Sequence, residues 1–414
     1  MISEEEARAG ILDKIEPLPE RVVPLAKALC CFAAQDYFAR LPLPTFDNSA
    51  MDGYAVVASA SRKGARLRVT GEQAAGRDRQ LRVSPGDAVR IFTGAPMPAG
   101  ADAIVMQEDV TRDRDEIAIN TDVEAGEFIR RRGCDLAEGQ RIVTKGERIR
   151  AATLGLLASQ GIADVAVGGE VSAAIVSTGD ELVQPGGKLE PGQIYESNSA
   201  LLNALLEGCG ATVKSIEHCR DDRESLIAAI KRGSKNHVLI VSGGVSVGEH
   251  DLVKDALHDL GAQIDIWRVA IKPGKPFLFG QLPNKSFDVA GETPAGPTGK
   301  MPVLRNCFVF GLPGNPVSAF ATLLQFVRPA ILRMMCAANL DLPQVAAKLV
   351  GDLTNKSDRA HYIRGKLEDG KFTPVGRQES HALFGLSQSN ALLRLAVGQS
   401  VRGGEMVDVQ IWDG

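Results

Sequence analysis

The chain has 414 residues, of which 44% are hydrophobic and 24% charged, and its formal net charge at pH 7 is −4. This composition is that of a globular protein of about two to four domains, since one domain takes roughly 100–200 residues. The negative charge argues against a general nucleic-acid binder, and the acidic N-terminus MISEEEARAG argues against a secretory signal. No continuous apolar run approaches the roughly 18 residues that cross a bilayer, so we expect no contact with a membrane.

The cysteines and histidines form no zinc or redox motif. Seven cysteines are scattered without a C-x-x-C pair, and the six histidines include no H-E-x-x-H sequence. We therefore expect reduced thiols in a cytoplasmic protein rather than a zinc ribbon or a thioredoxin-type site.

The first 169 residues are predicted to form a helical lobe interrupted by a β-rich one. Ser3 and Glu6 have the spacing of a capping box, which predicts a helix over about 4–15. A second helix is predicted within 24–38. From 41 to 136, short β-like runs such as ARLRVTG and DAVRIFTG are separated by glycines and predict an inserted β-rich lobe. AATLGLLASQG then reads as a helix ending at Gly161, so the helical N-terminal lobe is assigned to 1–40 plus 137–169.

The remainder is predicted to be an α/β domain followed by a small β domain. Buried runs including VSAAIVS, HVLIV and CFVFG alternate with helices predicted near 198–208, 222–232 and 251–260. This alternation predicts a central, doubly wound, mostly parallel α/β domain over 170–336, with a surface excursion at 283–305. Short strands around Asp369-Gly370 predict a C-terminal β-barrel-like domain over 337–414. The fold class is therefore multidomain α/β plus all-β.

The stretch HVLIVSGGVSVGEHD, residues 237–251, is the strongest local indication of a ligand site. A buried strand is followed by a loop with Gly243, Gly244 and Gly248, and then by a helix. Glycines let backbone N–H groups approach a ligand, and a helix N-terminus favours an anion, so this arrangement suits a phosphate. A tight turn in an ordinary α/β domain remains an equal alternative at this point.

Acidic residues follow several of the predicted parallel strands. Ligands bind outside the carboxyl ends of such strands, so the loops after five strands are expected to face one cleft. Three carboxylates, Glu181, Asp221 and Asp251, would repel one another by roughly 1–4 kcal/mol at about 4 Å. The pattern therefore predicts a bound cation, and Mg²⁺ fits best because it leaves positions open for phosphate oxygens. Asp222, by contrast, is better explained as a helix cap.

The β-rich lobe carries polar clusters of its own. Asp47, Asn48, Ser49 and Asp52 crowd the sequence FDNSAMDGY, which taken alone is typical of Asx-turn chemistry. The run 130–132, three arginines, is interpreted as a solvated face, with a small anion or bridging site as the alternative.

Seven blocks in order give the chain a specific resemblance to a known family. FDNSAMDGYAV, RIFTGAP, IRRRGCDL, STGDEL, SGGVSVGEHD, AIKPGKP and GLPGNPVS resemble the MoeA family of molybdopterin molybdenumtransferases, which includes the E domain of gephyrin. The resemblance covers nearly the whole chain. Residues 170–335 alone also resemble the adenylyltransferase of the same pathway, whereas the β-rich lobe and the last domain favour the transferase.

The resemblance implies a reaction and an assembly. Adenylylated molybdopterin and molybdate would be converted, with Mg²⁺, to molybdenum cofactor and AMP. The protein would be an elongated homodimer of four-domain subunits, with each cleft between the α/β, molybdopterin-binding domain of one subunit and the β-rich lobe of the other. Contacts with other enzymes of the pathway are also conceivable.

The resemblance also assigns roles to individual positions. Catalytic roles fall on Asp52, Thr93, Glu181, Asp221 and Asp251, the last three of which would also hold the metal. Substrate-binding roles fall on Ser177, Thr178, Gly179, Asp180, Ser242, Gly243, Gly244, Ser246, Gly248, Arg268, Lys272, Lys275, Pro313, Gly314, Asn315, Pro316, Arg364 and Ser380. Arg268 stands where lysine is expected, so the geometry around an oxyanion there would differ.

Three other functions remain open from the sequence. The chain could be a molybdopterin adenylyltransferase, a gephyrin-like non-catalytic scaffold, or a dimer that binds anions without turnover. Molybdate-dependent release of AMP would distinguish the transferase from all three.

Overall fold

The computed structural model describes residues 1–245, 252–283 and 306–412. The chain divides into two compact units, one formed by Met1–Gln35, Lys145–Leu154 and Ala163–Gly414, the other by Asp36–Thr144 and Gly155–Ile162. The finer division into four domains stays a prediction. Ser246, Gly248 and Asp251 lie outside the described residues, as does nearly all of the 283–305 excursion.

The N-terminal helix forms as its capping box predicts. Helix α1 (Glu4–Asp13) begins after Ser3, whose hydroxyl accepts a hydrogen bond from the Glu6 N–H at 3.1 Å. The Glu6 carboxylate accepts one from the Ser3 N–H at 2.8 Å in return. Two otherwise unpaired N–H groups of the first turn are satisfied in this way.

The second predicted helix, within 24–38, is wrong. This stretch contains the end of β1 (Arg21–Pro24), one 3₁₀ turn (Leu25–Lys27) and β2 (Tyr37–Phe38). Its backbone bonds to distant segments instead: the N–H groups of Leu25, Cys30 and Ala33 donate to carbonyls of residues 163, 149 and 147. Long-range pairing has overridden local helix propensity.

The second unit is built mainly on one six-stranded sheet in the order β7-β4-β6-β5-β9-β8, with β3 paired to β10 and β2 to β11. Tyr54, Leu67 and Ile117 lie in the core on one of its faces. The predicted succession of short strands is confirmed. The strands are β3 (Asn48–Ser49), β4 (Gly53–Val56), β5 (Arg66–Gln73), β6 (Asp87–Ile91), β7 (Ala103–Met106), β8 (Val110–Asp113), β9 (Glu116–Ile119), β10 (Ile129–Arg130) and β11 (Arg141–Val143).

A helix and a strand follow. Helix α2 (Ala151–Ser159) ends just before Gly161, whose φ of +70° continues the chain in the left-handed conformation, as predicted. Strand β12 (Asp164–Val167) then pairs antiparallel with β1.

The α/β region of the first unit is a six-stranded sheet in the order β16-β13-β17-β21-β20-β18, in which β20 alone runs antiparallel to its neighbours. The predicted doubly wound, mostly parallel sheet is confirmed. Its strands and the short ones beside it are β13 (Ser172–Thr178), β14 (Leu182–Val183), β15 (Ile194–Tyr195), β16 (Thr212–Cys219), β17 (Val238–Ser242), β18 (Gln263–Trp267), β19 (Ile271–Lys272), β20 (Leu278–Pro283) and β21 (Asn306–Leu312).

Helices cover both faces of this sheet. Val176 and Val241 pack on one face with α4 and α5, whereas Ile175 and Ile240 pack on the other with α3, α6 and α7. Successive strand residues point to opposite faces, so both alternate sets are apolar. The helices are α3 (Asn198–Gly208), α4 (Arg223–Gly233), α5 (Leu252–Asp259), α6 (Pro316–Thr322) and α7 (Arg328–Met334), with a π-helical turn at Leu323–Val327.

One continuous helical run of the α/β region is mostly apolar and lies in the core. Pro316–Met334 is long and apolar enough to cross a membrane by length and composition, although polar residues such as Gln325 interrupt the apolar sequence. Of its most apolar window, 83% is buried inside the protein. The run is therefore explained as a core helix against the sheet.

The C-terminal region is a closed five-stranded barrel, which confirms the predicted β-barrel. The strands follow the order β24-β25-β22-β28-β26, and β26 pairs back onto β24. Asp369 and Gly370, with φ of +48° and +69°, form the predicted hairpin turn between β24 and β25. The elements are β22 (Gln344–Leu349), β23 (Leu353–Thr354), β24 (Ala360–Glu368), β25 (Lys371–Pro374), α8 (Leu383–Ser387), β26 (Ala391–Leu395), β27 (Ser400–Val401) and β28 (Met406–Ile411).

Candidate functional site

A cavity of about 620 Å³ lies at the carboxyl ends of the parallel strands of the first unit. The sequence predicted that five loops would face one cleft. Four of these loops supply most of the lining of this cavity, and the fifth supplies only Pro276. Their lining residues are Ser177, Thr178, Gly179 and Glu181 at and after the end of β13, Asp221 after β16, Ser242, Gly243, Gly244 and Val245 at and after the end of β17, and Pro313, Gly314, Asn315 and Pro316 after β21. The cavity therefore occupies the position where open α/β sheets bind ligands.

The acidic side of the cavity is held by short-range contacts. Asp221 accepts a hydrogen bond from the Thr178 hydroxyl at 2.5 Å, and its own N–H donates to Asp180 Oδ1 at 3.3 Å. Asp180 thus supports the Asp221 loop and is not among the described lining residues. Glu181 packs against Gly179, where a Cβ would lie 2.6 Å from Glu181 Oε2. Only glycine leaves the Glu181 carboxylate this position.

The turn after β17 requires glycine for a similar reason. Gly243 has a φ of +89°, and a Cβ there would lie 2.5 Å from the Thr178 carbonyl oxygen. Its N–H donates to the Leu312 carbonyl at 3.2 Å, which joins this turn to the end of β21. The backbone can therefore approach a ligand closely on this side of the cavity.

The charge of the cavity wall is mainly negative. Among the described lining residues, Glu181, Glu196 and Asp221 are carboxylic acids, and His381 is the only basic side chain. His381 is itself 3.3 Å from Glu379. An anionic substrate entering this cavity would meet like charge unless a cation accompanied it.

The carboxylate oxygens that line the cavity are of the kind that binds a magnesium ion. Within the described ranges, no group of three His, Cys, Asp or Glu side chains is close enough to hold a metal. Glu181 and Asp221 nevertheless line one cavity, and carboxylate oxygens are the ligands that Mg²⁺ prefers when substrate phosphates and water complete its coordination. Asp251, the third predicted ligand, lies outside the described residues.

The predicted basic residues lie elsewhere in the first unit. Arg268, Lys272 and Lys275 are not among the described lining residues. The Arg268 guanidinium stacks 4.5 Å from the Trp267 ring centre. Lys272 belongs to β19, where it is the register partner of His361 in the barrel. The loop that follows β18 reaches the cavity through Pro276 instead.

Arg364 and Ser380 lie beside the cavity wall rather than in it. Arg364 is 2% exposed and donates to the backbone carbonyls of Arg377 and Glu379, and burial lowers the pKa of its guanidinium. This holds the loop on which the Ser380 hydroxyl accepts a hydrogen bond from Asn315 Nδ2 at 3.0 Å. Of the two, Ser380 is therefore nearer to the lining residues, and Arg364 supports its loop.

The remaining predicted catalytic pair belongs to the second unit. Asp52 Oδ1 accepts hydrogen bonds from both the N–H and the hydroxyl of Thr93, each at 2.8 Å. These bonds lower the pKa of the Asp52 carboxyl, the backbone bond first. The two hydrogen bonds from Thr93 thus favour the ionised form of Asp52.

The arginine run lies on an exposed face of the second unit, as interpreted from the sequence, and two of its members also bind Asp47. Arg131 lies 2.8 Å from Asp47, and the Arg132 N–H donates to the same carboxylate at 2.7 Å. Both bonds lower the pKa of Asp47. The run therefore fastens the loop FDNSAMDGY at its start.

Comparison with known proteins identifies the family. The chain matches the MoeA N-terminal region (domain I and II) over residues 2–161, a probable molybdopterin binding domain over 174–333, and the MoeA C-terminal region (domain IV) over 346–412. A molybdopterin molybdenumtransferase of Haemophilus influenzae is 35% identical, across 99% of this chain and 98% of that protein. The chain belongs to the MoeA family.

Other members of the family agree along the whole length. A molybdopterin molybdenumtransferase of Synechococcus elongatus is 35% identical over 95% of both chains. A crystal structure of a molybdopterin biosynthesis MoeA protein from Pyrococcus horikoshii OT3 superposes over 100% of both chains, with a TM-score of 0.77 and 28% identity.

Three polar residues that line the cavity of this MoeA-family chain were not selected from the sequence: Glu196, Asn198 and His381. Glu196 is 3% exposed and accepts a hydrogen bond from the Ser199 N–H at 2.9 Å. It therefore pairs with one of the free N–H groups in the first turn of α3. Asn198 is 8% exposed and joins two of the lining loops. His381 comes from the barrel region. The polar cluster YESNS before an apolar helix was the only available signal, and it reads as an ordinary helix cap.

Proposed function

We propose that this chain is a molybdopterin molybdenumtransferase that inserts molybdate into adenylylated molybdopterin and releases AMP with Mg²⁺. Membership of the MoeA family supports the reaction, and full-length relatives carry that enzyme name. The observation that carries the finer proposal is the cavity itself, which Glu181 and Asp221 line together with the Ser242–Gly244 turn.

The arrangement suits a reaction of charged partners. Breaking the phosphoanhydride bond places charge on the leaving phosphate of AMP. Glu181 and Asp221 would hold Mg²⁺, which neutralises such charge when bound. Gly243 and Gly244 would let the backbone approach a phosphate, and the cavity would position the reactants and limit access of bulk water.

The decisive experiment follows AMP release from adenylylated molybdopterin with and without molybdate. We expect release that depends on both molybdate and Mg²⁺, and its loss in Asp221→Ala and Glu181→Gln. Glu190→Gln is the matched control, because Glu190 is an exposed acid of the same connecting segment outside the lining set. Consumption of ATP without molybdate dependence would select an adenylyltransferase, and absence of turnover would leave a binding protein or scaffold.

We also propose that the second unit serves the cleft of a partner subunit in a homodimer. Asp52 would then act in a site whose Asp221 comes from the other chain. Mixing inactive Asp52→Ala and Asp221→Ala proteins under subunit exchange would give about half heterodimers, each with one intact site of two, and therefore about a quarter of wild-type activity. No recovered activity in verified heterodimers would contradict this assembly.

A reducing compartment is consistent with the thiols. All seven cysteines are free. Burial raises the pKa of Cys209 to about 11 and raises that of Cys307 as well, so both stay protonated and unreactive near neutral pH. We propose a cytoplasmic enzyme.

A further inference from the structure

Asn198 connects two loops of the cavity that are distant in sequence. It is the first residue of α3, and its Nδ2 donates to the Ser242 hydroxyl at 2.9 Å and to the Gly314 carbonyl at 2.7 Å. Ser242 ends β17, and Gly314 lies in the turn after β21. One amide group therefore bonds to two separate walls of the same cavity.

The orientation of this amide is fixed by its partners. A peptide carbonyl can only accept a hydrogen bond, so the Gly314 oxygen requires the NH₂ end of the side chain. Oδ1 is consequently directed away from Gly314, and it is buried without a hydrogen-bond partner among the described residues. A buried acceptor without a partner is unfavourable, so the position is not optimised for stability alone.

The two loops are close enough for Asn198 to control their spacing. A Cβ on Gly314 would lie 3.7 Å from the Gly243 Cα, which is ordinary van der Waals contact. Besides the Asn198 amide, the Gly243 N–H to Leu312 carbonyl bond joins the same segments at 3.2 Å. Loss of the amide would leave the spacing of the two glycine turns to that backbone bond, to the β17–β21 ladder that ends at Ser242 and Leu312, and to packing.

We propose that Asn198 is a positioning residue that sets the distance between the Ser242–Gly244 turn and the Gly314 turn, and so orders the anion-facing backbone of the cavity. This rests on the proposed function only in identifying the anion as the phosphate of adenylylated molybdopterin. The Asn198 amide forms no hydrogen bond with Glu181 or Asp221, the two predicted metal ligands that the structure describes, and its role is exerted through Ser242 and Gly314.

The test compares Asn198→Ala with Asn203→Ala, which removes the same side chain type from the same helix outside the lining set. We expect Asn198→Ala to weaken AMP binding, measured by titration calorimetry with Mg²⁺, by about tenfold and to raise the KM for adenylylated molybdopterin similarly, with a smaller change in kcat. Asn203→Ala should leave all three unchanged. Ser242→Ala, which spares the Gly314 bond, should have an intermediate effect.

The outcomes separate this inference from the proposed function. If Asn198→Ala matches wild type in AMP binding and KM, the positioning role is wrong, whatever the reaction. If wild type shows no molybdate-dependent AMP release but AMP binding still depends on Asn198, the proposed function fails and the positioning role stands. Should Asn198→Ala not fold, Asn198→Asp keeps the shape but cannot donate to Gly314, and AMP binding of wild-type strength in that variant would equally overturn the proposal.

Discussion

His361 should make the stability of the protein fall in mild acid. It lies in β24, is 9% exposed, and its Nε2 has no hydrogen-bond partner in the described part of the chain. Burial first, and then the positive charges of Lys272, Arg359 and Arg364, lower the pKa of His361 from 6.5 to about 4. The folded protein therefore keeps this imidazole neutral where the unfolded chain protonates it.

The magnitude follows from the difference between the two pKa values. Because the unfolded state binds the extra proton, the contribution is complete above the unfolded value of 6.5 and is lost as pH falls toward 4. At 1.36 kcal/mol per pKa unit, the loss between about pH 7.5 and about pH 5.0 is about 2 kcal/mol. The full shift sets an upper limit of roughly 3 kcal/mol.

The assay is urea unfolding at those two pH values for wild type, His361→Gln and His258→Gln. Glutamine cannot take up the proton, so His361→Gln should lose about 2 kcal/mol less than wild type between the two conditions. His258 is exposed on α5, and its variant should show the wild-type dependence. An unchanged pH dependence in His361→Gln would refute the reasoning, and so would an imidazole NMR signal for His361 that titrates near 6.5.

Three further predictions concern the two candidate site regions. Thr93→Val keeps the backbone donor but removes the hydroxyl bonded to Asp52, so the pKa of that carboxyl should rise toward its ordinary value in a carbon-13 NMR titration. Gly243→Ala places a Cβ against the Thr178 carbonyl at positive φ, and should cost about 1–3 kcal/mol in denaturant unfolding as well as weakening AMP binding. Arg364→Met removes the donors to two loop carbonyls and should cost roughly 2–3 kcal/mol, with faster proteolysis of the loop at 377–381 as the local readout; wild-type cleavage rates would contradict it.

Local signals in the sequence predicted most of the secondary structure. The Ser3–Glu6 capping box, the Asp369-Gly370 turn and the helix at 198–208 each depend on residues within one element, and each is confirmed. Asp222 caps α4 as expected, accepting a hydrogen bond from the Ser225 N–H at 2.8 Å. Patterns of this kind predict the folded structure correctly because the residues that interact are neighbours in the chain.

The failures concern partners that are far apart in the chain. The stretch 24–38 pairs with backbone more than a hundred residues away, and no local pattern records that pairing. Asn198 was missed for the same reason, because Ser242 and Gly314 become its partners only when three loops meet. The placement of Glu181 and Asp221 at the strand ends was predictable from the alternation of strands and helices. The positions of Lys272 and Lys275 outside the lining depend on the path of the loop after β18, which no local pattern records.

The ladder between β19 and β24 joins the C-terminal barrel to the segment that connects β18 and β20 of the α/β sheet. Ile271 and Lys272 are main-chain partners of Ala360 and His361, and Glu4 of the first helix pairs with Arg394 of β26. Helix α1 and the loop at 268–276 are thus both fastened to the same small barrel. A chain truncated before residue 344 would lose the strand that braces the 268–276 loop as well as the anchor of α1, so shortened versions should fail as whole molecules rather than merely lack a domain.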